Sequence, residues 1–153
     1  MRKILILLIS VFLTACVDDS ASYFIDGREH SLTIRRQQEH FWKDEADVTL
    51  LAARMPECQR LHPLASVAPA ADVKVDLFSA GDGLWNLRMG QQLWQIETAT
   101  CNGLTELQND PKADLGQALG SFIVKDGKLA FEALPGAADA ADAADAAAAP
   151  AAQ

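Results

Sequence analysis

Leu84-Trp85-Asn86-Leu87-Arg88-Met89, Gly90-Gln91 and Gln92-Leu93-Trp94-Gln95-Ile96-Glu97 follow one another in the middle of the chain. Two alternating runs of equal length around a glycine-led pair read as a β-hairpin. Glycine at the first turn position supplies the positive φ that a type II′ turn requires. In that register Trp85 stands opposite Ile96 and Leu87 opposite Trp94, with Met89 on the same face. Asn86, Gln95 and Glu97 take the other face. Cross-strand aromatic and aliphatic pairs of this kind hold sheets together. Leu84 and Leu93 fall on the polar side, which predicts partial cover from another segment. The fold class is therefore antiparallel β.

Similar signals lie on both sides of this hairpin. Tyr23 to His30 centres on Asp26-Gly27, and Phe122 to Phe131 on Asp126-Gly127, the dipeptide a type I′ turn prefers. The second pairs Phe122 with Phe131 and Val124 with Leu129. His30 to Trp42 is an extended stretch with Leu32 and Ile34 on one parity. Val48 to Met55 is another, and Val73 to Leu77 alternates as a strand. Pro63 to Ala71 reads as a surface loop, and Gly81-Asp82-Gly83 as a turn before a strand. Asp114 to Leu119 predicts one short helix, stopped by Gly120. About seven strands result, in a small antiparallel β-sandwich or half-open barrel over residues 23–133.

The ends are different material. Residues 134–153 form an Ala/Asp-rich, low-complexity tail whose Ala-Ala-Asp period offers no apolar stripe to pack. Arg2 and Lys3 precede the apolar run from Ile4 to Leu13, about 15 Å as a helix and half of a ~30 Å hydrocarbon core. That is the layout of a secretory signal peptide over residues 1–15. Leu13-Thr14-Ala15-Cys16 then resembles the lipobox of bacterial lipoproteins. The resemblance implies a diacylglyceryl group on Cys16, cleavage after Ala15, and acylation of the new amino terminus, with no other cofactor. Val17, where Asp favours inner-membrane retention in enterobacterial lipoproteins, implies the outer membrane rather than the inner one. Residues 16–22 read as a lipidated, solvated tether, with the lipid rather than the domain touching the membrane.

With Cys16 assigned to lipid, Cys58 and Cys101 remain as a pair in an oxidising compartment, and a disulfide is expected. It closes a loop of about 44 residues, worth at most roughly 4 kcal/mol in the chain-entropy model. Neither cysteine has a second one at zinc-finger spacing, so no metal site is predicted.

The chain of 153 residues has 13 Lys and Arg against 21 Asp and Glu, a net charge of -8. One domain of that sign is a poor match for nucleic acid, which selects clustered cations. Its 50% hydrophobic fraction is inflated by the leader and the tail. His30, His40 and His62 are the natural catalytic suspects. On one straight strand His30 and His40 would lie about 33 Å apart. No Gly-x-Ser-x-Gly elbow, His-Glu-x-x-His motif or phosphate-cradling loop occurs. No catalytic residue is assigned, and a non-enzyme is expected.

Arg28 to His62 is a neutral region in an acidic chain. It contains Arg35, Arg36, Trp42, Arg54 and Arg60, residue types enriched in protein interfaces. These are the candidate partner surface; alternatively the arginines form a solvated sheet edge. The expected function is a membrane-anchored envelope lipoprotein, periplasm-facing and non-catalytic, that binds a protein partner or serves envelope maintenance. Small lipoproteins of the lysozyme-inhibitor type are similar in tether, size, disulfide and β character, and imply the alternative of a periplasmic hydrolase inhibitor with a protruding loop. A small hydrolase or metal-dependent enzyme around His40 and His62 is the third reading.

Overall fold

The computed structural model describes residues 16–108, 110 and 113–135; the expected leader and nearly all of the Ala/Asp tail lie outside the described residues. Ten strands occur: β1 (Asp18–Asp26), β2 (His30–Gln37), β3 (Ala46–Arg54), β4 (Cys58–Val67), β5 (Lys74–Gly81), β6 (Leu84–Met89), β7 (Gln92–Glu97), β8 (Thr105–Leu107), β9 (Gln117–Lys125) and β10 (Lys128–Ala133). They form a four-stranded sheet in the order β1-β2-β3-β4 and a six-stranded sheet in the order β10-β9-β5-β6-β7-β8. Every pairing is antiparallel. Among the described residues the architecture is a β-sandwich, without a closed barrel and with ten strands where about seven were expected.

Local turn chemistry sets most of the register. Trp85 faces Ile96 and Leu87 faces Trp94 across the β6–β7 hairpin, with positive φ at Gly90. Phe122 pairs with Phe131 and Val124 with Leu129 across β9–β10, where Asp126 and Gly127 have φ of 51° and 77°, as a type I′ turn needs. Asp82 and Gly83 make a second turn of that kind between β5 and β6. Leu93 is buried, and β8 runs beside it with Leu107 as its partner.

Four expectations are corrected. The β1–β2 turn is not the two-residue Asp26-Gly27 turn. It is a three-residue loop, with Asp26 closing against His30 and a bulge at Ile25. The register so produced sets Asp19 directly opposite Arg36, and these two form a buried ion pair. Residues 18–22 are therefore the start of an edge strand, not a free tether. Pro63 lies inside β4, since an edge strand with a bulge needs no N–H at that position. Only residues 68–73 remain as loop there. The helix at Asp114–Leu119 is absent: β9 begins at Gln117, and Gly116 has φ of 91°, with a Cβ there falling 2.1 Å from the Ser79 carbonyl oxygen.

The core lies between the sheets. Leu32, Ile34, Val48 and Leu50 meet Val75, Leu77, Leu87, Ile96 and Phe122, all fully buried. Each such side chain contributes about 1.5–3 kcal/mol by leaving water. Side chains join the sheets at both margins. Between β1 and β10, Arg36 donates to both Asp19 oxygens (3.1 and 2.8 Å) and to the Gly127 carbonyl, while Asp19 also accepts from the Leu129 N–H. At the opposite margin the Cys58–Cys101 disulfide forms, as expected, with Cα atoms 5.9 Å apart. His62 Nε2 lies 2.7 Å from the Cys101 carbonyl oxygen beside it. Glu97 holds that loop, accepting hydrogen bonds from the N–H groups of Ala99, Thr100 and Asn102 and from the Thr100 hydroxyl.

Candidate partner surface

Strand parity decides which side chains leave the sandwich. In β2, Leu32, Ile34 and Arg36 share the inward parity; Ser31, Thr33 and Arg35 point outward. The pairing then builds two rows across the outer face of the four-stranded sheet. One is Ser22, Thr33, Leu51 and Leu61; the next is Phe24, Ser31, Ala53 and Gln59. Phe24 is 49% exposed and Leu61 54%, while Leu51 is half-buried. A shallow cleft of about 520 Å³ lies on this face, lined by Asp18, Ser20, Thr33, Arg35, Leu51 and Leu61. At its rim Arg35 and Asp18 are paired at 3.0 Å and both accessible, so this pair contributes little to stability and is free to exchange partners. A cleft of similar size, about 500 Å³, opens between Val67, Val73 and Met89. Of its charged groups Asp76, Lys74 and Arg88 are already paired, and exposed Asp72 is the other one that lines it.

The outer face of the six-stranded sheet carries a denser polar network and only a smaller cleft, about 230 Å³, lined by Phe78, Ala118, Ser121 and exposed Leu134 among others. Asp76 accepts from the Ser121 hydroxyl (2.7 Å), Arg88 (3.0 Å) and Lys74 (3.3 Å). Burial works against the charged form of Asp76, but these three donors outweigh it and hold the carboxyl below its usual range. The Arg88 guanidinium stands 5.3 Å from the centre of the Phe78 ring. Gln95 donates to Asn86, and buried Asn86 donates to the Leu115 carbonyl of the segment before β9.

The expected arginine surface does not assemble. Arg35 lies on the outer face described above. Arg36 is 2% exposed and fully engaged with Asp19 and Gly127, so it belongs to the seam between the sheets and not to a surface. Arg54 and Arg60 are exposed near the β3–β4 turn. Arg54 is five residues along β3 from Thr49, the partner of Arg35, which is about 17 Å. Trp42 stands in the β2–β3 loop at the other end of the sheet.

The histidines are likewise dispersed. His62 is buried on the inner side of β4, away from His40 in the β2–β3 loop. His40 stacks on Trp42 in the β2–β3 loop. His30 sits at the start of β2 with Nε2 buried and without a hydrogen-bond partner among the described residues. Burial, then the charge of Arg54, push its pKa down, partly offset by Asp26.

Phe24, Leu51 and Leu61 were missed as surface residues because apolar character suggested core. The signal was present: Tyr23-Phe24-Ile25 and Leu50-Leu51-Ala52-Ala53 are apolar on both parities, as in a strand with two apolar faces. In comparisons with known proteins, no family model, no curated protein and no solved structure matches the chain. What defines its class is the fold itself, an antiparallel sandwich of ten strands among the described residues.

Proposed function

We propose that the chain is an envelope lipoprotein, acylated at Cys16 and facing the periplasm from the outer membrane. Its sandwich acts as a non-catalytic module that binds a protein partner. The supporting observation is the outer face of β1–β4, where Leu51 and Leu61 line a cleft with an accessible Arg35–Asp18 pair at its rim, and Phe24 is exposed on the same face. Apolar groups rimmed by polar ones mark interaction surfaces. The partner such a face fits lays an apolar side chain between Leu51 and Leu61 and sets a carboxylate or carbonyl on Arg35.

Crosslinking with mass spectrometry in intact cells tests this reading, comparing the native chain with Cys16→Ser and Leu61→Glu forms. The expected result is an acylated Cys16 and one dominant envelope partner, lost in both variants. Recovery of the same partner with Leu61→Glu would move the binding surface elsewhere, and an unmodified Cys16 would end the lipoprotein reading.

A further inference from the structure

The β2–β3 loop, residues 38–45, carries the most exposed large apolar side chains among the described residues: Phe41 and Trp42, each 66% exposed. They are held in place. The His40 and Trp42 rings stack with centres 4.7 Å apart, and Phe41 meets Trp42 edge-on at 4.7 Å. The Lys43 N–H donates to the His40 carbonyl, Gln38 Nε2 donates to the Lys43 carbonyl, and Lys43 pairs with Glu39 at 2.7 Å. An ordered turn whose aromatic side chains are this exposed takes no part in the core between the sheets.

The position of the loop supplies its occupant. The Gln38 N–H donates to the Val17 carbonyl at 2.7 Å, and exposed Cys16 is the next residue. No spacer separates Cys16 from the sandwich, because β1 begins at Asp18. One residue spans at most about 3.6 Å. The headgroup layer of one leaflet is about 5–8 Å deep, the difference between a hydrocarbon core and a whole bilayer shared between two sides. A lipid on Cys16 therefore brings Val17, Gln38 and the loop that follows to the headgroup layer.

We infer that His40, Phe41 and Trp42 form a second membrane contact, seated at the boundary between headgroups and acyl chains beside Cys16; this rests on the lipoprotein reading above. Trp is favoured at that depth because its ring is apolar and its N–H is polar. The lipid is zwitterionic. Glu39 is matched by Lys43, but Asp44 and Glu45 are exposed, so anionic headgroups are repelled rather than recruited. Lipid and loop together hold the sandwich at two points, which fixes its tilt and keeps the outer face of β1–β4 in one orientation.

Trp42 is its own probe, since Trp85 and Trp94 are buried. The chain purified from its membrane is reconstituted into phosphatidylcholine vesicles with brominated acyl chains, and Cys16 is examined by mass spectrometry. The expected result is acylated Cys16 and quenching of part of the tryptophan emission, lost in Trp42→Phe. Adding phosphatidylglycerol does not increase the quenching, and salt does not abolish it. An acylated chain in which Trp42 is untouched by brominated lipid but quenched by aqueous iodide overturns the inference and leaves the loop free for a soluble partner such as a hydrolase. If Cys16 carries no acyl group, the lipoprotein reading fails on its own. The loop is then tested by adding the chain to the same vesicles, where absence of Trp42 quenching overturns it too.

Discussion

The two outer faces of the sandwich are built from the same strand alternation and end in opposite states. On the six-stranded sheet, Asp76, Ser121, Arg88 and Lys74 satisfy one another, and Leu115 closes over Asn86. On the four-stranded sheet, Phe24 and Leu61 are exposed, half-buried Leu51 lines a cleft with Leu61, and the cross-strand ties include exchangeable ones such as Arg35–Asp18 and Ser22–Thr33. A face that folds its own chain over itself has spent its binding capacity internally. A face left apolar has not.

The largest expected effect breaks both faces together. Asp19→Ala strands a guanidinium that is 3% exposed, at a cost of about 3–5 kcal/mol, and uncouples β1 from β10. Chemical denaturation of the variant reads this as a fall in midpoint, and Asp18→Ala on the accessible pair serves as the near-neutral control. Next, Cys58→Ser opens the other margin and lowers stability by about 2–5 kcal/mol, with Cys101 becoming titratable by thiol reagents. Asp76→Ala is confined to the occupied face. It costs about 1–2 kcal/mol, because Ser121, Arg88 and Lys74 lose a shared acceptor but can rehydrate.

Acid sharpens the contrast with a smaller effect. His30 has its pKa pushed below 6.5, so the unfolded chain takes up its proton first and stability declines gently as pH falls through that region. Glu97 and Asp76 have theirs held below the ordinary 4.5 and 3.8, Glu97 through the Thr100, Asn102 and Ala99 hydrogen bonds. Their contributions are complete above those values and are lost as pH falls further. Equilibrium unfolding across pH 7 to 3 checks the two stages, and His30→Gln removes only the first. Smallest in stability is Leu61→Glu, within about 0.5 kcal/mol, because the side chain is already exposed. A loss of several kcal/mol there would mean that the face is structural, and the contrast between the two faces would be gone.

Local chemistry explains which of these features were legible in the sequence. Gly90-Gln91 and Asp126-Gly127 determine turn type, and turn type determines register, so two hairpins could be read residue by residue. Arg36 was expected on the partner surface, although its parity with Leu32 and Ile34 places it inward and separates it from Arg35. What was hidden depends on distant chain. Nothing near Asp18-Asp19 announces that two arginines seventeen residues away will draw that stretch into an edge strand. Pro63 suggests a loop until β4 is known to lie at an edge. Gly116 and the approach of Ser79 replace a helix by a turn, and that approach requires β5 and β9 to pair first.

The claim that the bare face is the binding face is tested most directly by photo-crosslinking from two positions in intact cells. A photoreactive residue at Leu61 samples the outer face of β1–β4, and one at exposed Glu132 samples the outer side of β10 on the other sheet. The prediction is a discrete adduct from position 61 and none of that mass from position 132. Adducts of equal yield from both positions, or one from position 132 alone, would contradict it.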